Sequence, residues 1–182
     1  MSKQFHVRRL DVAAFAQAQA GLEGRDELGA YPRVLQELHA PCADLAIEWR
    51  ARGEQRRAVD GSLRPALHLQ VNAALPLSCQ RCLDQVTAPI DIDRHFVFVP
   101  DEDTAAALDD ASDDDVLALA PDFDLHALIE DELLMALPLV PRHEECPEAV
   151  PLSAQDADFD ATTEERRHPF AALSALRKPD AG

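Results

Sequence analysis

The chain has 182 residues, 47% of them hydrophobic, and a formal net charge of −17 at pH 7. This length suits one domain with tails, and the hydrophobic content suffices for a buried core. The chain lacks any run of about eighteen apolar residues, which excludes a membrane-spanning helix, and its acidity disfavours binding to nucleic-acid phosphates, which depends on Lys and Arg.

The N-terminal part of the chain predicts two short helices. Over residues 11–20, Asp11 is suited to N-cap a helix, alanines fill its interior, and Gly21 is suited to its end. A second helix is predicted over residues 34–39, after Pro32. The N-terminus lacks the continuous apolar centre of a signal peptide, so a cytoplasmic location is expected.

The middle of the chain predicts strands, because apolar residues recur there at every second position. Alternating runs cover residues 45–50, 66–75 and 89–100, and Asp60-Gly61 predicts a tight turn after the first run. Short connections imply antiparallel neighbours, so we expect a meander of three or four strands. The apolar face of the second and third strands comprises Leu67, Leu69, Val71, Ala73, Leu75, Ile90, Ile92, Phe96 and Phe98. The opposite face is polar and comprises His68, Gln70, Asn72, Asp91, Asp93 and His95.

An acidic segment and the strongest helix signal follow the strands. Residues 101–132 contain thirteen Asp or Glu and no Lys or Arg. Residues 101–123 predict an acidic loop with a helical turn at 104–108. A helix is predicted from Asp124, as N-cap, to Leu137, because Pro138 ends it. Its leucines recur at helical spacing and are expected to pack on the sheet. Glu130, Asp131 and Glu132 are expected to face solvent.

These elements predict an α+β domain over residues 1–147, an antiparallel β-meander packed against one long helix with short N-terminal helices. Residues 148–182 predict a mostly flexible tail with a short terminal apolar segment around Phe170, Leu173 and Leu176.

Two pairs of metal-ligand residues lie about sixty positions apart. Cys79 and Cys82 flank Gln80-Arg81 where the chain must reverse between strands, as in a zinc knuckle. His143 and Cys146 can supply the two further ligands of a structural zinc site. Two other interpretations stay open: thiols that pack as small apolar side chains, and a redox pair. The antiparallel flanks disfavour the redox pair, because a thioredoxin-like motif opens a helix in a βαβ unit.

Other signals of chemistry are weaker. The first predicted hairpin carries five arginines, which can contact RNA phosphate or form a charged outer strand face: Arg50, Arg52, Arg56, Arg57 and Arg64. The acidic segment offers carboxylates that can ligate magnesium in a metal-dependent ribonuclease, although they lie in a predicted loop without a rigid scaffold: Asp109, Asp110, Asp113, Asp114 and Asp115. Glycine-rich phosphate loops and the common hydrolase motifs are absent from the sequence.

Three stretches together resemble the bacterial YceD family of large ribosomal RNA subunit accumulation proteins. They are LSCQRCLDQV, DLHALIEDELLMALPLVPRHEEC and the terminal HPFAALSALRK, and the resemblance covers residues 60–178. It implies a role in the accumulation or processing of large-subunit ribosomal RNA without a catalytic activity. By the family pattern, the positions expected to matter are Cys79, Arg81, Cys82, Glu130, Glu132, Pro138, Pro141, His143 and Cys146.

Taken together, charge and resemblance predict a non-enzymatic assembly factor that docks a basic ribosomal or RNA-processing protein and contacts ribosomal RNA indirectly. The alternatives are a metal-dependent RNA-processing enzyme and direct RNA binding through the arginine-bearing hairpin. The residues predicted to bind that partner are Arg81, Asp113, Asp114, Asp115, Glu130, Asp131 and Glu132. The one cofactor that the sequence suggests is a structural zinc ion at Cys79, Cys82, His143 and Cys146, with packed thiols as the open alternative, and the sequence shows no small-molecule site.

Overall fold

Helices pack on a single sheet in the computed structural model, which describes residues 4–40, 42–58, 61–109, 112 and 114–148. In chain order the elements are α1 (Val12–Gln17), β1 (Gly21–Glu27), a 3-10 helix (Leu28–Ala30), α2 (Pro32–Gln36), β2 (Ala46–Arg57), β3 (Leu63–Ser78), β4 (Gln85–Val99), α3 (Glu102–Asp109), β5 (Asp115–Ala118) and α4 (Leu125–Met135). The strands lie in the order β1-β2-β3-β4-β5. Strands β1 to β4 are antiparallel, and β5 runs parallel to β4. The predicted α+β class and meander are confirmed.

The core lies on the inner face of the sheet, where the predicted apolar alternation is confirmed. Trp49, Val71 and Ile92 are register partners across β2, β3 and β4, and all three are buried. Side chains of the helices complete the core: Val12, Phe15, Val34, Leu125, Ile129 and Leu133. Burial of this apolar surface is the main stabilising contribution to the fold.

Helix α1 confirms the predicted N-terminal helix. Ala14 N–H donates to Asp11 Oδ1 at 2.9 Å, as the predicted N-cap requires. The helix ends at Gln17 rather than at residue 20, because the chain turns there and Gln19 adopts a φ of 48°. Helix α2 begins at Pro32 and replaces the helix predicted over residues 34–39.

Strand β1 was not predicted, because its seven residues are mostly glycine and charged side chains without an apolar alternation. It forms as an edge strand paired along its whole length with β2. Gly24 lies opposite Trp49, and a Cβ at Gly24 would approach the indole ring to 2.6 Å. The glycine therefore makes room for the single tryptophan to lie across the strand.

The acidic segment over residues 101–123 is more regular than the predicted loop, and the helical turn predicted at 104–108 lies within α3. The segment contains α3, where Asp101 Oδ1 accepts from Thr104 N–H at 2.8 Å, and then β5. A parallel strand needs a crossover connection, and α3 lies in the connection from β4 to β5. Strand β5 has only four residues, which are too few for a periodic sequence signal. It is defined by its hydrogen-bonded pairing with Phe96–Val99 of β4.

The predicted domain boundary near residue 147 and the predicted tail stay predictions. Residues 149–182, including Phe170, Leu173 and Leu176, lie outside the described residues.

Helix α4 is confirmed with its predicted N-cap, since Ala127 N–H donates to Asp124 Oδ1 at 3.0 Å. The expectation that its carboxylates face solvent was wrong for Glu130 and Glu132, which are 7% and 5% exposed. Glu130 accepts from the Arg33 backbone N–H at 2.7 Å and from Arg33 Nε at 2.9 Å. The partner of Glu130 lies 97 positions earlier, so local helical spacing carries no signal of this burial.

The buried carboxyl of Glu132 predicts a pH-dependent stability. Burial raises the pKa of Glu132, although Arg94 Nε, 3.9 Å from Glu132 Oε2, opposes the change. The folded chain therefore holds this proton more tightly than the unfolded chain. The associated stability is fully present below the ordinary glutamate pKa of 4.5 and is lost as the pH rises through the folded value.

Glu132→Gln is therefore expected to melt at a higher temperature than the parent chain at about pH 7, and at the same temperature at about pH 4. Thermal unfolding at both pH values measures the difference. Glu37→Gln, the same change at an exposed position, controls for the loss of one negative charge. A lower melting temperature for Glu132→Gln at about pH 7 would show that the attraction to Arg94 outweighs the cost of burial.

Candidate metal centre

The turn between β3 and β4 places Cys79 and Cys82 side by side. Cys79 N–H donates to the carbonyl of Asp84 at 2.8 Å, and Leu83 N–H donates to the carbonyl of Cys79 at 2.9 Å. Leu83 adopts a φ of 66°, in the left-handed region that tight turns use. These backbone hydrogen bonds fix the turn, so Cys79 and Cys82 lie close together at the end of the β3–β4 hairpin.

The segment after α4 returns to this turn and brings the second pair of ligand residues. Gln80 N–H donates to the carbonyl of Pro141 at 2.8 Å. The guanidinium of Arg81 donates through Nη2 to the carbonyls of His143 and Glu144, at 3.0 and 3.1 Å. Its Nε lies 2.9 Å from Cys146 Sγ. Arg81 is therefore the residue that joins the two halves of the cluster.

Four ligand atoms converge as a result, and the two pairs meet as the zinc interpretation requires. One atom each from Cys79, Cys82, His143 and Cys146 lie within 4.8 Å of one another. We call this group the Cys3His cluster. Zn–S bonds of about 2.3 Å put the sulfurs of a tetrahedral site about 3.8 Å apart, so small side-chain movements suffice to close the site on an ion.

The tautomer of His143 suits a metal ligand. His143 Nε2 lies 3.0 Å from the carbonyl of Gln85, which can only accept a hydrogen bond, so this nitrogen carries the proton. His143 Nδ1 then presents its lone pair to the cluster, 3.4 Å from Cys82 Sγ. A backbone carbonyl that orients an imidazole in this way is a common feature of metal sites.

The pKa values of two neighbouring thiols in the cluster are shifted in opposite directions, down for Cys79 and up for Cys82. Burial opposes ionisation of Cys79, but backbone N–H groups of Cys82, His143 and Arg81 directed at its sulfur lower its pKa to about 5. Burial raises the pKa of Cys82 to about 11, and the neighbouring sulfurs of Cys79 and Cys146 add to the rise. A cation among the sulfurs would remove this repulsion, because a bound metal deprotonates its thiol ligands.

The alternatives left open by the sequence fit the geometry less well. Cys79 is buried, but Cys82 and Cys146 are only half-buried, so packing as small apolar side chains describes one thiol of the three. The turn joins two antiparallel strands rather than opening a helix, as a thioredoxin-like pair would. Cys42, the fourth cysteine, is half-buried and lies outside the cluster.

The residues predicted to bind a partner lie in three places in the structure. Arg81 braces the Cys3His cluster, and Glu130 and Asp131 both accept from Arg33. Glu132 is buried beside Arg94. Asp114 and Asp115 form ion pairs with arginines of β2 and β4, and Asp113 lies outside the described residues. Their role toward a partner stays a prediction, and several of these side chains also serve the fold.

The arginine-bearing hairpin and the acidic segment meet each other. Arg56 Nη1 donates to Asp114 Oδ2 at 2.9 Å, and Arg94 Nη2 donates to Asp115 Oδ2 at 2.6 Å. Arg94 was not predicted as a partner of the acidic segment, because it lies among the apolar positions of its strand. The pairing of Arg56 reduces the positive charge that the hairpin offers to phosphate. Within the described ranges, the aspartates of the segment form no group with metal-ligand spacing.

None of the described helices is long and apolar enough to cross a membrane.

Fold and site together define a small α+β protein in which a hairpin end and the segment after the last described helix share a Cys3His cluster. The family model described as "Large ribosomal RNA subunit accumulation protein YceD" matches residues 67–177, which include this whole cluster. The chain belongs to the YceD family. The resemblance found in the sequence is thus confirmed.

A relative from Haemophilus influenzae carries the same name, "Large ribosomal RNA subunit accumulation protein YceD". It is 31% identical over 112 residues, which are 60% of this chain and 63% of the relative. The match therefore spans less than two thirds of that relative. No solved structure matches the chain.

Proposed function

We propose that the chain is a non-enzymatic factor in ribosome maturation that promotes the accumulation of large-subunit (23S) ribosomal RNA. It acts by docking a basic ribosomal or RNA-processing protein. The family and the name of the Haemophilus influenzae relative support the connection to this RNA. The observation that carries the docking mechanism is the charge of −17, concentrated after β4.

The start of α3 is the best candidate for the docking surface. Asp101, Glu102 and Asp103 are exposed, consecutive and close to the helix N-terminus, which stabilises negative charge. We call them the α3 acidic surface. In contrast, Glu130, Asp114 and Asp115 are already paired with arginines. Among the residues that the structure describes, the α3 carboxylates form no ion pair with a lysine or arginine, so their charge is available to a partner.

The Cys3His cluster contributes a structural zinc site in this proposal. Three thiolates and one imidazole are a ligand set of structural zinc, and four protein ligands leave no open position for substrate. The ion would fasten the segment after α4 to the β3–β4 turn. Pro138 and Pro141 stiffen that segment, and Leu139 and Val140 between them are exposed. The zinc ion would thus hold the exposed segment after α4 in one position beside the sheet.

Affinity capture from bacterial lysate tests the docking mechanism. The full chain is expected to retain basic ribosomal components at low salt and to release them as salt screens the charges. Neutralising the α3 acidic surface with Asp101→Asn, Glu102→Gln and Asp103→Asn is expected to lower retention about tenfold, since three exposed pairs contribute about 0.5 kcal/mol each. Asn at position 101 preserves the helix cap.

A variant with the same change in charge distinguishes an effect of the α3 acidic surface on retention from an effect of the total charge. Glu144→Gln, Glu145→Gln and Glu148→Gln remove the same charge at other exposed positions and are expected to retain the partner. Equal loss in both variants would leave only a general charge effect and overturn the proposed surface. The absence of any ribosomal protein or RNA from the captured material at low salt would overturn the proposed function.

A further inference from the structure

A second group of metal-ligand side chains lies on the outer face of the sheet. His68 of β3 and His95 of β4 are direct register partners, and their rings stack with centroids 4.1 Å apart and planes 13° apart. Glu54 of β2 completes the group, with one ligand atom from each residue within 4.8 Å of the others. We call it the outer-face cluster. It is separate from the Cys3His cluster, which lies at the far end of β3.

One nitrogen of this group lacks a partner. His95 Nδ1 is buried from solvent, and within the described part of the chain it has no hydrogen-bond partner. Glu54 Oε2 lies 3.9 Å from His95 Nδ1, which is too long for a hydrogen bond. A buried polar atom without a partner costs free energy, so its presence calls for a ligand or another explanation.

His68 is held in the manner of a metal-binding histidine. His68 Nε2 lies 2.7 Å from Asp93 Oδ1, and Asp93 Oδ2 accepts from Gln70 Nε2 at 2.9 Å. A carboxylate on one imidazole nitrogen fixes the ring and raises the basicity of the other, as in the outer shell of many metal sites.

The carboxylate of Glu54 is not fully occupied by Arg56 and can bind a cation. Arg56 Nε lies 3.9 Å from Glu54 Oε2, but Arg56 Nη1 is paired with Asp114 at 2.9 Å. The nearby guanidinium therefore has its own carboxylate, and Glu54 is not its principal partner.

We propose that Glu54, His68 and His95 bind a divalent late first-row transition metal ion. Two imidazoles and one carboxylate suit such an ion, and three protein ligands leave coordination positions open to water or to an anionic group. Metal–ligand bonds of about 2.1 Å put neighbouring ligand atoms about 3 Å apart. The two imidazole rings have to turn out of their parallel stack to close on the ion, because a bound metal lies in the plane of each ring along the nitrogen lone pair. The site stands independently of the proposed role in ribosome maturation.

Cobalt titration of the full chain, with zinc already bound, tests the site. Zinc occupies the thiolates first, so one further equivalent of Co²⁺ is expected to bind with the weak absorption of nitrogen and oxygen ligands. His95→Gln and Glu54→Gln are each expected to abolish that equivalent. Asp93→Asn, which removes only the outer-shell carboxylate, is expected to weaken it about tenfold. Calorimetry gives the stoichiometry, and circular dichroism confirms that each variant is folded.

The exposed His6, on the N-terminal segment, provides the control. His6→Gln is expected to bind the added cobalt as the parent chain does. Strong sulfur-to-cobalt bands would show exchange into the Cys3His cluster instead. Their appearance, the lack of a second equivalent, or a second equivalent that survives in both His95→Gln and Glu54→Gln would overturn the proposal.

Discussion

Replacing Cys79 with serine is expected to lower zinc affinity by more than about 100-fold, the upper end of the loss seen when only an outer-shell group is removed. Cys79 is the buried ligand of the Cys3His cluster, and several N–H groups are directed at its sulfur. With free zinc about 100-fold above its dissociation constant, the bound ion contributes about 2.7 kcal/mol to stability. The parent chain should therefore melt about 8 °C lower after treatment with a chelator.

In Cys79→Ser this dependence on chelator is expected to disappear. Elemental mass spectrometry of untagged protein measures the zinc, and a thiol count before and after chelation measures the release of the sulfurs. Cys42→Ser is the matched control, because Cys42 lies outside the cluster and should leave one equivalent of zinc bound. A parent chain purified with no zinc, or a serine variant that still binds one equivalent, would contradict the proposed zinc site.

A single methyl group at position 53 is expected to destabilise the fold strongly. Gly53 lies in β2 where α1 crosses the sheet, and a Cβ there would approach the carbonyl oxygen of Phe15 to 2.5 Å. The obstacle is backbone, so a rotamer change cannot relieve it, and α1 would have to move away from the sheet. Gly53→Ala is expected to lower the free energy of unfolding by about 3 kcal/mol, at the upper end of the range for overpacked cores.

Thermal and urea denaturation measure this change, which corresponds to about 10 °C in melting temperature. Gly21→Ala provides the control in the adjacent strand. A Cβ at Gly21 would meet only the carbonyl oxygen of Ala51, at 3.8 Å, which is an ordinary contact. Its stability is expected to stay within about 0.5 kcal/mol of the parent chain. If the two variants are equally stable, α1 does not pack on β2 as closely as described.

Local pattern was sufficient for the elements with a strong period. The alternation in β3 and β4 and the cap of α4 at Asp124 were all predicted and are confirmed. Strands β1 and β5 were not predicted, since their residues carry little apolar alternation. Their hydrogen bonds to β2 and β4 define them, and such pairing depends on neighbours that a local window does not contain.

The sequence suggested the four ligand residues of the candidate metal centre but not the hydrogen bonds that hold them in place. Spacing alone suggested Cys79, Cys82, His143 and Cys146, since the residue types are those of a zinc site. It gave no signal that Arg81 would bridge to Cys146 or that the carbonyl of Gln85 would orient His143. Backbone groups carry no identity in the sequence, so contacts made by carbonyls become visible only in the folded chain.

The sequence by itself determined which side chains are apolar, acidic or metal-binding and how they repeat along the chain. From these patterns followed the fold class, the inner face of the sheet and the family. Only the tertiary structure decided which distant groups meet: Arg33 with Glu130, Arg94 with Asp115, and His68 with His95. The physical reason is that periodicity reports local geometry, whereas contacts across tens of residues depend on strand register and on how the helices close over the sheet.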